Sequence, residues 1–296
     1  MLGQKIGRYL VQEELGHGAM AAVYLALDPA MKRHVAVKVL TRSLSTDPEF
    51  RGRFGREAEV IARLEHPYIV PVYDFGEHGQ QPYIVMRYMP GGSLAVRLRS
   101  GPLPTNEAAQ IVERIAVAVD AAHRAGIIHR DLKPENVLFD RRGDPFLSDF
   151  GIVRIVTGDG LTSGGTIAGT PAYMSPEQVH GDEAVDGRAD IYALGVTLFQ
   201  MLTGRTPYQA DQATRMMMKH VMEPVPNILE TRADLPPGFE GVIRRAMAKQ
   251  PDDRYQTAGE MAEAVTMLTP KRLSKRARRR LTADDISALY DTIEDE

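Results

Sequence analysis

The sequence predicts an α+β chain of two unequal lobes, a small strand-rich one followed by a larger helix-rich one. Three observations carry this. Five short β-branched or aromatic segments crowd the first ninety residues. One amphipathic stripe at helical spacing interrupts them. After the Pro/Gly break in "YMPGGSL" (88–94), apolar residues recur at spacings of three and four.

The strands are "YLVQEELG" (9–16), "AAVYLALD" (21–28), "RHVAVKVL" (33–40), "IVPVYDFG" (69–76) and "PYIVMRYM" (82–89), each bounded by Gly, Pro or Asp. The interrupting helix opens at "DPEF", with Asp47 as N-cap and Pro48 at the first helical position. Phe50, Phe54, Ala58, Ile61 and Leu64 form its apolar stripe. Past the break, residues 105–125 carry Ala108, Ile111, Ile115, Ala118 and Ala122 on one face, and Gly126 supplies a C-cap. "SPEQ" (175–178) and "TAGE" (257–260) read as capping boxes. Residues 188–203 form an apolar helix. "TRMMMKH" (214–220) places three methionines on a further helix, for which core packing is the leading reading and an adaptable docking surface the second.

The totals narrow the function classes. A chain of 296 residues with 43% hydrophobic residues can build a large core. A net charge of −3 implies no global attraction to nucleic acid. The absence of cysteine excludes disulfides, thiolate metal sites and a Cys nucleophile, and fits a reducing compartment. No apolar run approaches the roughly 18 residues of a membrane span, and the N-terminus lacks a signal-peptide core. The expectation is a soluble, cytoplasmic chain without a nucleic-acid partner. Its tail, 269–296, is first basic, "KRLSKRARRR" (271–280), then acidic with Ile286, Leu289, Tyr290 and Ile293 at helical spacing. A solvated tail is the leading reading, and a helix docking on a partner or on the chain itself the second. Attraction of the basic stretch to anionic lipid stays open.

The residues that bear chemistry fall into four groups. In "LGHGAMAAVY" (15–24), Gly16 and Gly18 sit between two strands, where they serve either an ordinary hairpin or a close backbone approach to phosphates. A Rossmann fingerprint is excluded, because strand rather than helix follows. Lys38 ends the apolar run Val35–Val37 and either snorkels outward or meets a carboxylate, for which Glu57 in "REAEV" is the candidate. "HRDLKPEN" (129–136) sets Asp131, Lys133 and Asn136 against apolar flanks, and "SDFG" (148–151) adds Asp149. Charged groups cannot sit unpaired against a core. Asp131 can accept a proton from a hydroxyl, Lys133 can neutralise a transferring phosphoryl group, and Asn136 and Asp149 offer the oxygen ligands that Mg²⁺ prefers. Phosphoryl transfer needs this inventory, since its loose transition state is helped by positioning and charge neutralisation.

The ordered set resembles the protein kinase catalytic domain, and within it the eukaryotic-like serine/threonine protein kinases of bacteria. The resemblance covers roughly residues 8 to 268. It implies a bilobal kinase fold over 1–268, with an antiparallel small lobe of about 8–88 carrying one regulatory helix and a mainly α lobe of about 92–268. It implies ATP, Mg²⁺ or Mn²⁺ as cofactors, and protein substrates with Ser/Thr hydroxyls. By resemblance, Leu15 is among the ATP-binding residues, Gly16 and Gly18 cover the phosphates, and Val23 and Ala36 enclose adenine. Met86 is the gatekeeper, and the backbone of Arg87 and Met89 bonds adenine. Lys38 holds the α- and β-phosphates and pairs with Glu57. Asp131 is the base, Lys133 steadies the γ-phosphate, and Asn136 and Asp149 hold the metal. Glu177 in "SPE" (175–177) pairs with Arg254 in "PDDRY", and Asp190 braces the catalytic loop. Lys133, two residues after the base, and "GTPAYMSPE" (169–177) match the Ser/Thr type, with Thr170 bridging Asp131 and Lys133.

Arg130, just before the base, implies a phosphate on the activation segment (152–170), with Thr162, Ser163 and Thr166 as candidates for autophosphorylation, in trans if the chain forms a homodimer. The chain departs from the family pattern at Ala21, Arg87 and Ser175, where the third motif glycine, a glutamate and an alanine are usual. Two other classes compete with this reading. A non-catalytic scaffold would have lost Lys38, Asp131 or Asp149, and a small-molecule phosphotransferase would lack the peptide-docking segment.

Overall fold

The computed structural model describes residues 2–18, 21–41, 48–150, 162–163, 166–167, 170–182 and 185–269. Strands β1 (Lys5–Ile6), β2 (Tyr9–His17), β3 (Ala21–Asp28), β4 (Arg33–Leu40), β5 (Val72–His78) and β6 (Gln81–Arg87) form one sheet in the order β1-β2-β3-β4-β6-β5. Every neighbouring pair in it is antiparallel.

Alternation along the strands gives the sheet two apolar faces. Val35, Val37 and Val39 point one way and pack with Tyr9, Tyr24, Tyr83 and Val85 in a core confined to the small lobe. Ala36, Leu40, Ile84 and Met86 point the other way and join a second core that runs on into the large lobe. Helix α1 (Pro48–Ala62) covers this second face with Phe54, Ala58 and Ile61. The expected cap Asp47 and the Phe50 side chain lie outside the described residues.

The segment expected as a strand over 69–76 pairs with β6 only from Val72. Pro71 has no N–H to give to a ladder. Upstream of it the chain turns to the other lobe: Val70 N donates to the Leu147 carbonyl at 2.9 Å and Leu147 N to Tyr68 at 2.8 Å. The last small-lobe strand likewise ends at Arg87, short of the expected 89.

The Pro/Gly break is the linker between lobes. Gly91 N donates to the Phe139 carbonyl at 2.8 Å, and a Cβ on Gly91 would lie 2.6 Å from the Asp140 oxygen. Helix α2 (Leu94–Leu98) follows, capped by Ser93. Helix α3 (Thr105–Arg124) buries the expected stripe of Ala108, Ile111, Ile115, Ala118 and Ala122. Its C-cap is Ala125, and Gly126 takes the left-handed turn just beyond, at φ +76.

Strands β7 (Val137–Phe139) and β8 (Pro145–Leu147) form a hairpin, and β9 (Thr162–Ser163) pairs with β10 (Thr166–Ile167). The large lobe continues with α4 (Pro176–His180), α5 (Arg188–Thr203), α6 (Ala213–Met222), α7 (Ile228–Thr231), α8 (Gly238–Ala246) and α9 (Ala258–Met267). Ser175 and Gln178 form the reciprocal capping box expected at α4. At α9 only half the box appears. Thr257 accepts from Glu260 N, but the Glu260 carboxylate takes the N–H of Gln256, one residue upstream. Asp120 of α3 supplies the rest, accepting from Ala258 N and Gly259 N at 2.9 Å each. On α6 the three methionines divide. Met216 packs on the core and Met217 is half-buried, while Met218 is 47% exposed, so the core reading holds for only part of the stripe. No helix among the described residues is long and apolar enough to cross a membrane.

Candidate active site

The site lies where the second face of the sheet meets the loop between α3 and β7. Antiparallel register puts Val23 opposite Lys38, and Ala36 opposite Met86. Residues two apart share a face, so Val23, Ala36, Lys38 and Met86 all look toward the large lobe. Ala36 and Met86 are buried there, and Val23 packs against them half-buried. Arg87 N donates to the Pro71 carbonyl at 3.0 Å, so the backbone group that Arg87 can offer a base is its carbonyl. Its side chain leans away, over Phe146 at 5.1 Å and toward Asp140 at 3.8 Å. Met89 is buried beyond it.

At the mouth of this face, Leu15 is 41% exposed. A Cβ on Gly16 would meet nothing within 4 Å, and Gly18 N donates to Ala21 O at 2.9 Å. Among the described residues no neighbour requires either glycine, and the space that a side chain would take at Gly16 is open to a ligand.

The loop is held from beneath. Asp190, near the start of α5, is 1% exposed, and its carboxylate accepts from His129 N and Arg130 N at 2.8 Å each. His123 of α3 completes the set, with Nε2 2.8 Å from Asp190. Burial opposes charge on both groups, yet their mutual hydrogen bond wins, lowering the Asp190 carboxyl and raising the His123 imidazole from their ordinary values. A Cβ on Gly187 would strike the His123 ring at 2.5 Å, so a glycine opens the approach. Braced this way, Arg130 sits at φ +64, a left-handed conformation costly for a non-glycine residue.

The reactive groups converge above this brace. Lys133 Nζ lies 2.7 Å from Asp131 Oδ2 and donates to Thr170 Oγ1 at 2.6 Å. Asn136 Nδ2 donates to the Asp131 carbonyl at 2.7 Å, which leaves Asn136 Oδ1 as its free ligand atom. Asp149 is also left-handed, at φ +65, with Oδ2 3.0 Å from Lys38 Nζ. Phe150 is buried and its ring centroid lies 4.7 Å from that of His129, which anchors the neighbouring Asp149. Glu57, the partner expected for Lys38, is half-buried on α1.

The donor set suits a hard cation. One amide oxygen and one carboxylate are oxygen ligands of the kind Mg²⁺ takes, with phosphate oxygens and water completing the shell. Among the described residues no cluster of three or more His, Asp or Glu could hold a metal without such help.

The peptide-side wall is tied to the same loop. Gln178 Nε2 donates to the Arg130 carbonyl at 2.9 Å. Glu177 takes a bidentate bond from Arg254, at 2.6 and 2.7 Å, and Arg254 gives its other donors to the carbonyls of Ala248, Arg188 and Lys249. Thr162 and Thr166 have described backbone in β9 and β10, cross-strand from Ile167 and Ser163. Most of the rest of 151–169 lies outside the described residues. Sequence reasoning misses His123, whose partner is 67 residues away, and gives Gln178 only its capping-box role, with no sign of its bond to the Arg130 carbonyl 48 residues away.

The chain matches the protein kinase domain family over residues 9–289. It is 44% identical over 265 residues to the serine/threonine-protein kinase PknH of Mycobacterium bovis, covering 89% of this chain and 44% of that one. It is 44% identical to PknE of Mycobacterium bovis, covering 89% of this chain and 46% of that one. The chain thus spans under half the length of these curated relatives. Among solved structures, the Mycobacterium tuberculosis PknI kinase domain superposes with a TM-score of 0.73 at 36% identity, covering 91% of this chain and 99% of that one.

Proposed function

The chain belongs to the protein kinase family, in its serine/threonine branch, and we propose that it transfers the γ-phosphoryl of ATP to Ser and Thr hydroxyls of proteins, including its own activation segment. The observation that carries this reading is the position of Lys133. It touches both the candidate base Asp131 and Thr170 of the docking segment, at 2.7 and 2.6 Å.

In this reading ATP lies under β2 and β3. Val23 and Ala36 enclose adenine, and the Arg87 carbonyl and Met89 backbone bond its edge. Lys38 moves from Asp149 onto the α- and β-phosphates and takes Glu57 as its partner. A divalent metal held by Asn136 and Asp149 supplies charge neutralisation to the phosphates. The substrate hydroxyl sits against Asp131, which takes its proton as the oxygen attacks the γ-phosphorus. Lys133 neutralises the transferring group, and Thr170 holds Lys133 in reach of it. The Asp190 bonds keep the loop in its costly conformation, so the base is placed before substrate arrives.

Self-phosphorylation at Thr162 or Thr166 is supported by Arg130, whose guanidinium forms no ion pair among the described residues and adjoins the base. Incubation with Mg²⁺ and ATP, read by intact mass and peptide mapping, tests the whole reading. Phosphate on Ser or Thr that is absent from Asp131→Asn and Lys38→Met supports it. An unmodified segment in a chain that phosphorylates a basic substrate protein would remove the self-phosphorylation.

A further inference from the structure

Helix α6 is fastened to the large lobe through a histidine. His220 is the only buried residue on that helix and is 0% exposed. Its ring lies edge-on to Tyr192 of α5 and to Tyr208, at centroid distances of 5.7 and 4.9 Å. Lys249 Nζ closes the cluster, donating to the His220 carbonyl at 2.7 Å and to the Tyr208 hydroxyl at 3.0 Å. The Tyr192 hydroxyl meets His220 Nδ1 at 2.8 Å. A buried phenol keeps its proton, and among the described residues Nδ1 is the acceptor within its reach. The hydroxyl therefore donates, and the imidazole proton sits on Nε2.

Among the described residues, that Nε2 is buried without a hydrogen-bond partner. An orphaned buried donor costs about 1–3 kcal/mol, a cost that an apolar residue of similar size would not carry. The turn that carries Ala172 packs against α6, and its backbone is the polar group near the ring. Ala172 lies two residues after Thr170, in the 3-10 turn Pro171–Tyr173.

We propose that His220 is a positioning residue for the peptide-docking loop, its Nε2–H closing onto the Ala172 carbonyl when a Ser/Thr substrate seats on residues 170–174. The inference rests on the reading that this loop docks the substrate. The bond joins α6 to the loop that presents Thr170 to Lys133. It acts on peptide affinity and leaves the nucleotide face alone.

The test is the full chain with myelin basic protein as substrate. His220→Asn keeps an acceptor for Tyr192 and removes the reach of Nε2, whereas His220→Gln keeps a donor near the Nε2 position. The expected result is a rise of about fivefold to tenfold in KM for the protein substrate in the Asn variant, the worth of one hydrogen bond. KM for ATP stays unchanged, and the Gln variant restores wild-type behaviour. A joint fall of kcat and rise of both KM values in the two variants, or no change in either, overturns the proposal.

Imidazole NMR of the wild-type chain gives a second readout that needs no folded variant and no turnover. Addition of myelin basic protein should protect the His220 Nε2–H from exchange and shift it downfield. Turnover without that shift sinks the role of His220. The shift without turnover sinks the catalytic reading and leaves the docking contact standing. Absence of both removes both.

Discussion

Lys38 Nζ lies 3.0 Å from Asp149 Oδ2, joining the end of β4 to the loop after β8 across the cleft. Lys38→Met should lower the rate of phosphoryl transfer by about 10²-fold or more, the usual result of removing a preorganised charge-stabilising donor. An initial-rate assay at saturating ATP checks this, with circular dichroism confirming that the fold persists.

The Thr170 hydroxyl oxygen accepts from Lys133 Nζ, at 2.6 Å. Thr170→Ala should cut kcat by about tenfold, one hydrogen bond's worth at about 1.4 kcal/mol. Thr170→Ser keeps the hydroxyl and should recover most of the rate. Equal losses in the two variants would show that Lys133 does not depend on the bond.

Arg254 is 1% exposed, and every donor group it has is bonded, two of them to Glu177. Removing one partner of such a pair strands a buried charge and costs about 3–5 kcal/mol. Glu177→Ala should therefore lower Tm by roughly 6–20 °C, at about 2–4 °C per kcal/mol for a domain of this size. Scanning calorimetry reads the shift.

The kinase fold and the converging residues were legible because their signals are local. "SDFG" and "HRDLKPEN" put several reactive groups within a few residues, and the stripe on α3 repeats every three or four. What stayed hidden depends on separation in sequence. His123 bonds a carboxylate 67 residues away, and its own helix gives no hint of that. Asp120 of α3 caps α9 from 138 residues away, and nothing beside it in the chain marks that role. The strand at 69–76 was placed three residues early because Ile69 and Val70 are good strand formers. They pair, but with β8 of the other lobe, once Pro71 breaks the ladder.

Burial, with help from the charge of Lys249, pushes His220 down to about 4 from an ordinary 6.5. Below pH 6.5 the unfolded chain takes up a proton that the folded chain refuses, so stability falls as pH drops from 6.5 toward 4. The full loss is about 3 kcal/mol, at about 1.36 kcal/mol per pH unit of displacement. Tm measured between pH 7 and 4.5 should therefore fall less steeply in His220→Gln than in the wild type. His123 works with the opposite sign, since its raised value adds stability below its unfolded pKa that fades as pH rises through the folded one.

Gly91 leaves no room for a side chain between the linker and β7, where a Cβ would come within 2.8 Å of the Asp140 and Phe139 carbonyls and the Phe139 side chain. Gly91→Ala should destabilise by about 1–3 kcal/mol through overpacking. Denaturant titration would show this as a lower midpoint at unchanged slope.

The two faces of the small-lobe sheet bury into different cores, one private and one shared with the helices. The residues of the two cores alternate along the same strands: Val35 and Val37 flank Ala36 on β4, and Tyr83 and Val85 flank Ile84 on β6. Neither interior can be lost while the strands that carry the other stay paired. The private core of the small lobe is therefore tied, through the thickness of one sheet, to the core it shares with Leu94, Phe139 and Leu147, and the linker does not mark a boundary between independent folding units.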